Sequence, residues 1–463
     1  MKKTFLILIF FIFNRTVLAQ GYVTVTNQNF ASYLQSILPS AMNGNLLDTT
    51  NILVTTTVDS INIYNSNISD FSAVRYFKSL KYLITNYNPV NYLPVLPNSI
   101  EYLDCSSMVL YSLTTLPPLL KHLNCANNVL PNLPSLPNTL THLNCSSNPF
   151  NAPLPSLPNS ITYIDCHGNS LFNIAALPNS LVYFDCYQNY LTNLPLLPNN
   201  LKTIICGYNS LTTLPTLPNS LEHLDCSFNQ IIGLPTLSSS LLFFDCDRNR
   251  LASIPALPSL LRFFDCNQQF DGNYILTSLP SLPNSLDTLI CYYNALNSLP
   301  PLPNSLKLLR CFHNNISCLP TLPDSINPPF INIFNQLTYN IEMGDNPYTC
   351  LPNYVPNLSP GDSALPLCFA GNPNGCAVVA NINEFENQII LSIYPNPTNS
   401  VLNIVDERKQ LQNATIEIKN TLGQAILSTP FSKELNISDL SSGIYFLTVQ
   451  SKEIKKTVKV VKE

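Results

Sequence analysis

The chain has 463 residues, enough for a sizeable core and for more than one domain. Only 11% of them are charged, 39 are proline and none is tryptophan, a bias that points to a repetitive architecture. A net charge of -5 supplies no basic field for a polyanion, which excludes nucleic acid as a partner class.

Lys2 and Lys3 precede the apolar run "FLILIFFIF", and Val17-Leu18-Ala19 closes it with a cleavage-site pattern, so residues 1–19 read as a secretory signal peptide. No later stretch approaches the roughly eighteen uninterrupted apolar residues of a membrane helix. No transmembrane segment is therefore expected, and the mature chain is expected to be secreted or held at the cell surface by other means. Residues 20–57 form an N-terminal cap. Within "NQNFASYLQSILPS", Phe30, Leu34 and Ile37 stand at helical spacing behind an Asn cap, which predicts a short helix over the first repeat.

From residue 58 a period takes over. Cysteines stand at 105, 125, 145, 166, 186, 206, 226, 246, 266, 291 and 311; eight of the ten intervals are twenty residues, one is 21 and one is 25. Aligned on them, "LEHLDCSFNQI" becomes Leu221-x-x-Leu224-x-Cys226-x-x-Asn229-x-Ile231. This resembles the leucine-rich repeat, with cysteine in the third leucine's place. About thirteen such units run over residues 58–326. The resemblance implies a solenoid with a parallel sheet on its concave face and an extended convex side. The "LPxLP" phrases suit that side, because proline fixes φ and lacks an N–H. In length and in these prolines the units are similar to the short bacterial class found in injected effectors. Those effectors lack a cleavable signal of this kind, and the C-x-D motif of their ubiquitin ligases is absent here, so only the scaffold carries over.

Side chains alternate along a strand, so Leu224 and Cys226 are expected inside and His223, Asp225 and Ser227 outside. The cysteines then form a column of small buried hydrophobes, whose β-carbons are too far apart for disulfides. A second column, Asn128, Asn148, Asn169, Asn189, Asn209, Asn229, Asn249, Asn294 and Asn314, satisfies backbone groups where each turn leaves the sheet; Met108 and Gln269 interrupt it. Residues 327–376 form a C-terminal cap. Cys318, Cys350, Cys368 and Cys376 are the disulfide candidates, with three connectivities open.

A linker over 377–390 leads to a region of different composition, 391–463. Prolines thin out, cysteines vanish, and apolar-polar alternation sets in through "VLNIV", "ATIEIKN", "GIYFLTVQ" and "TVKVV", the pattern of a small antiparallel β-sandwich. "YPNP" (Tyr394, Pro395, Asn396, Pro397), "LGQ" with Gly423, "LSSGIYFLTV" with Gly443, and a basic strand opening on Lys455 and Lys456 follow in order. Together they resemble the type A sorting domain of the type IX secretion system of Bacteroidota. That resemblance implies passage through the periplasm, then across the outer membrane, with the secretion machinery as a partner.

Function is expected on the outward strand positions. Three residues before the cysteines stand Tyr102, His122, His142, Tyr163, Tyr183, His223, Phe243 and Phe263. One residue before them stand Asp104, Asp165, Asp185, Asp225, Asp245 and Asp265, with Asn124 and Asn144 among them. An aromatic row beside an acidic and amide row suits a protein partner, or alternatively a glycan. Arg248, Arg250 and Arg262 are expected to relieve repulsion among the aspartates. The insertion from Gln268 to Ser278 is a further candidate contact loop. No Ser-His-Asp order, phosphate loop, CxxC or HExxH is present, so no catalytic residue, metal or cofactor is expected. The expectation is an exported, non-enzymatic recognition protein.

Overall fold

A computed structural model describes residues 21–328, 330–331, 337–355, 358–368, 391–406, 414–420, 424–450 and 455–463. The expected signal peptide and linker, Cys376 and Gly423 lie outside the described residues. Two compact units divide the chain, Met1–Cys376 and Ala377–Glu463.

The first unit opens with an antiparallel sheet of three short strands, Tyr22–Thr24, Met42–Asn43 and Leu46–Asp48, around the helix Gln28–Ile37. Asn27 caps that helix by accepting the Phe30 amide at 2.9 Å. Phe30 and Leu34 are fully buried, whereas Ile37 is 40% exposed and Leu38 takes the inward place.

A 14-stranded parallel sheet follows, from Ser60–Asn62 to Ile341–Glu342, its strands laid down in chain order. Each repeat strand is short, as in His223–Asp225, and the register carries over from turn to turn. Tyr183 pairs with Tyr163 and Thr203, and Asp185 with Asp165 and Ile205. The sheet runs past the expected boundary at Ile326. Its last strand follows a small hairpin of Phe330–Ile331 and Leu337–Thr338, with Met343 in the cysteine position.

The turns of the cysteine ladder bury corresponding positions. Leu221, Leu224, Cys226 and Ile231 are each 0% exposed. Each such aliphatic side chain contributes about 1.5–3 kcal/mol relative to exposure. The eleven cysteines of the ladder are all fully buried. Burial pushes their thiols up, Cys125 to about 12, which suppresses the reactive thiolate.

Side-chain amides join the turns. Asn229 Nδ2 donates to the Cys206 and Cys226 carbonyls at 3.1 and 3.2 Å, while its Oδ1 accepts the Leu211 amide at 2.9 Å. Gln269 does not interrupt this column. Its Nε2 donates to the Cys246 carbonyl at 2.8 Å and its Oε1 accepts the Leu251 amide at 3.0 Å, so the longer side chain performs the asparagine's task. Asn346 extends the series by donating to the Cys311 carbonyl at 2.9 Å. Met108 is the true exception, its sulfur accepting from Thr85 Oγ1 at 3.6 Å. On the return side the "PNS" phrases make tight turns. The Leu221 amide donates to the Pro218 carbonyl, and Ser220 Oγ reaches back to the Leu201 carbonyl at 2.7 Å.

In the cap, Cys350 bonds Cys368 with 5.0 Å between their α-carbons. Cys318 is half-buried in a parallel bridge with Ser298.

The second unit packs two antiparallel sheets on one core of Leu402, Ile404, Ile416, Ile418, Leu447, Val449 and Val460. Asn396 of "YPNP" braces the terminal strand Lys455–Lys462, donating to the Lys459 carbonyl at 2.7 Å and accepting the Val461 amide at 2.8 Å. Gly443 opens the strand Gly443–Gln450, which pairs with that terminal strand from Gly443↔Lys462 to Gln450↔Lys455, with Lys456 opposite Val449. Tyr394 is exposed.

Candidate recognition surface

On each strand the middle residue points into the core, so the residues flanking it face away from it and stack in register across the sheet. This builds the expected aromatic row, but not as open platforms. The rings are half-buried and lie on one another. Centroids are 3.9 Å apart for His122 and His142, and 4.5 Å for Tyr163 and Tyr183. The series continues at 4.0 Å for His223 and Phe243 and 4.3 Å for Phe243 and Phe263. Tyr102 leans on His122 more loosely, at 5.6 Å. Ring faces are spent on neighbours, and edges are left for a ligand. Burial lowers His122, His142 and His223 from the ordinary imidazole value, which favours the neutral ring.

The carboxylate row stands beside the rings, half-buried at Asp104, Asp185, Asp225 and Asp245 and buried at Asp165 and Asp265. Each carboxylate caps the turn after its own strand. Asp225 Oδ1 accepts the Ser227 amide and hydroxyl at 2.9 and 2.6 Å, and Asp104 does the same with Ser106. Packing side by side has an electrostatic cost. Burial, then the Asp265 and Asp247 carboxylates, pushes Asp245 up to about 8. Burial also raises Asp265 to about 7, and Asp247 and Asp185 to about 6.

The expected arginine relief does not reach this row. Arg250 pairs with Asp271 at 3.6 Å and Arg262 with Asp287 at 3.5 Å. Arg248 approaches Asp247 at 3.6 Å and lies over the Phe228 ring at 4.5 Å. In each case the arginine's own position on the turn aims it past the row.

A second aromatic series escaped the sequence pattern. Two residues past each cysteine the backbone adopts a left-handed conformation, with φ of 56° at Tyr208, 49° at Phe228, 48° at Arg248, 49° at Tyr293 and 51° at His313. Such a position costs a non-glycine residue about 1–2 kcal/mol. Large side chains held there stack as the first row does, Tyr208 on Phe228 at 4.9 Å and Tyr293 on His313 at 4.3 Å. The signal was present in the residue before each ladder asparagine, as in "GYN", "SFN", "YYN" and "FHN". In the insertion, Phe270 and Tyr274 bridge to form a small exposed hairpin around Gly272, and Tyr274 stacks on Tyr293 at 6.0 Å.

Among the described residues, Asp165, His167 and Asp185 bring metal-ligand atoms within 4.8 Å of one another. His122 and His142 take no part. His167 Nδ1 meets Asp165 Oδ1 at 2.7 Å, the place that serine hydroxyls take on Asp104 and Asp225, so the contact belongs to the turn's own hydrogen-bond pattern.

A family model described as a secretion system C-terminal sorting domain matches residues 392–463. Among solved structures, YopM from Yersinia enterocolitica WA-314 is similar at 32% identity and a TM-score of 0.52, over 61% of this chain and 63% of that one. The chain thus spans less than two thirds of that protein's length. YopM from Yersinia pestis, a leucine-rich effector protein, is similar at 26% identity and a TM-score of 0.55, over 71% of this chain and 92% of that one. The functional domain of InlJ from Listeria monocytogenes, which includes a cysteine ladder, is similar at 20% identity and a TM-score of 0.48, over 94% and 97%. The chain has no significant match among curated proteins. It joins a leucine-rich-repeat solenoid to a sorting tail, and that tail directs it to secretion or to the cell surface through the type IX system. No helix among the described residues is long and apolar enough to cross a membrane.

Proposed function

We propose that the repeat unit is a non-enzymatic recognition module that binds a protein partner through the outer face of its sheet, once its tail has brought it to the outside of the cell. The observation that carries this reading is the pair of aromatic series. Rings at the left-handed positions cost backbone energy that glycine avoids, as Gly168 does in the equivalent place, and they add nothing to the buried core. Their exposed edges beside carboxylates and amides supply area at low entropic cost with polar groups for orientation. A glycan reading is weaker, because a sugar ring packs on an open aromatic face. Here the faces of Tyr163 and Tyr183 cover each other at an interplanar angle of 7°. The ladder thiols, buried and pushed up, offer no nucleophile.

The test is site-specific photocrosslinking on the full chain, with the probe at Tyr183 or Phe243 and, as a control, at the exposed Leu196 of the return side. The expected result is a discrete polypeptide adduct from the first two positions and none from the third. Equal adducts at all three positions overturn the reading. So does a selective glycan-array signal lost in Tyr163→Ala and Tyr183→Ala.

A further inference from the structure

Asp225, Asp245 and Asp265 occupy the same position on three neighbouring strands, and Asp247 follows two residues after the middle one. Strands lie about 4.8 Å apart, so this is a dense patch of carboxylates. Among the described residues, no basic group lies within ion-pairing distance (4.0 Å) of the first three. Arg310 attracts Asp265 only from farther off.

A second deficit is independent of charge. Asn267 is 2% exposed, and its Nδ2 is wedged between Asp265 Oδ1 at 2.7 Å and Asp247 Oδ2 at 3.4 Å. Its Oδ1 and Asp247 Oδ1 are buried acceptors with no donor among the described residues. Leaving such atoms unpaired costs about 1–3 kcal/mol each. Among the described residues, three of the four carboxylates thus have no cation at ion-pairing distance, the fourth has only Arg248 at 3.6 Å, and two acceptors of the same patch have no donor. A group that carries both charge and donors, and accepts nothing, is a basic side chain.

The surroundings favour arginine. The stacked rings of His223, Phe243 and Phe263 border the patch on one side. On the other stands Phe228, with the Arg248 guanidinium over it at 4.5 Å, so an incoming side chain meets ring edges and the flat guanidinium can lie along them. A planar fork of five N–H groups can span two carboxylates where a point charge serves one. A single metal ion fits less well. The group whose ligand atoms all come within 4.8 Å is Asp165, His167 and Asp185, which does not include this patch.

From these observations we infer that the patch formed by Asp225, Asp245, Asp247, Asp265 and Asn267 is the docking site for arginine side chains of a basic segment on the partner protein. This rests on the protein-recognition reading and specifies the chemistry of its ligand.

The experiment is a fluorescence-anisotropy titration of the full chain with labelled hexa-arginine, hexa-lysine and hexa-glutamate peptides. Hexa-arginine is expected to bind more tightly than hexa-lysine, and hexa-glutamate not at all. The double variant Asp245→Asn with Asp265→Asn is expected to weaken hexa-arginine roughly tenfold. Asp324→Asn, an exposed carboxylate in a turn of the return side, is expected to leave it unchanged. The amides keep the shape, and thermal unfolding of the double variant confirms that it folds. Binding indifferent to the double variant, or an equal loss in Asp324→Asn, overturns the inference. Saturable heat on titration with calcium chloride alone, absent in the double variant, overturns it in favour of an ion. Polypeptide crosslinks at Phe243 combined with no arginine binding overturn this inference alone, whereas failure of the crosslinks strikes the broader reading.

Discussion

The outer face of the sheet has two stretches, Tyr102 to Asp185 and His223 to Asp265, separated by the strand Thr203–Ile205 where both rows lapse. In the first, Asn124 and Asn144 stand between Asp104 and Asp165. In the second, three aspartates follow without a break and Asp247 adds a fourth. The inner layer keeps its cysteines in both, while the buried middle residue varies, from Leu103, Leu123, Leu143, Ile164 and Phe184 in the first to Leu224, Phe244 and Phe264 in the second. A repeat scaffold thus lets charge density be set strand by strand on one surface while the core stays apolar and buried.

The largest test asks whether the asparagines hold the two stretches alike. Asn189→Ala removes donation to the Cys166 and Cys186 carbonyls and strands the Leu171 amide. Asn249→Ala does the same to Cys226, Cys246 and Ile231. Each should cost about 3 kcal/mol in urea unfolding, and the two costs should agree. A marked inequality would break the comparison, because the stretches would then differ in their amide column as well.

The next step converts one stretch into the other. Asn124→Asp with Asn144→Asp creates an unbroken acidic row from Asp104 to Asp165. It should destabilise the chain by roughly 1–2 kcal/mol at about pH 8, and by less in acid as the added carboxylates take up protons.

Acid sharpens the contrast from the opposite side. Asp245 is raised to about 8 and Asp265 to about 7 in the folded chain, against about 3.9 when unfolded. Between those limits the folded state binds more protons than the unfolded one, so stability falls as pH rises from about 4 to about 8. Thermal unfolding should therefore shift upward by a few degrees on going from about pH 8 to about pH 5.5, and Asp245→Asn should remove part of that shift. No pH dependence in that window would sink the buried-carboxylate account. The smallest expected difference concerns the thiols. The ladder cysteines of both stretches should resist a thiol reagent equally in the native chain and react fully in denaturant.

Much of this was legible in the residues. The cysteine period locates the turns, because burial tolerates little variation in the size or polarity of an inward side chain. The asparagine column is legible for the same reason, although Gln269 hides within it because one extra methylene still reaches both carbonyls. The strand Ile341–Glu342 was missed because the spacing stretches after Cys311 and methionine replaces cysteine. The second aromatic series was missed because a left-handed backbone at Tyr208 or Phe228 leaves no mark in hydrophobic alternation. Neither the self-covering of the rings nor the aim of Arg250 and Arg262 follows from spacing, since both depend on rotamers set by neighbouring turns. The bond between Cys350 and Cys368 likewise needed coordinates to choose it from the open connectivities.

Each ladder asparagine grips only its own turn and the one before it, so the joint between any two adjacent turns is nearly the same joint. The solenoid is therefore modular in its length. Excising the twenty residues from Tyr187 to Cys206 joins Cys186 to Gly207, removes the strand Thr203–Ile205 and offers the flanking turns equivalent partners. Such a shortened chain should still fold, and the two acidic stretches would move one strand closer without any new contact having to be designed.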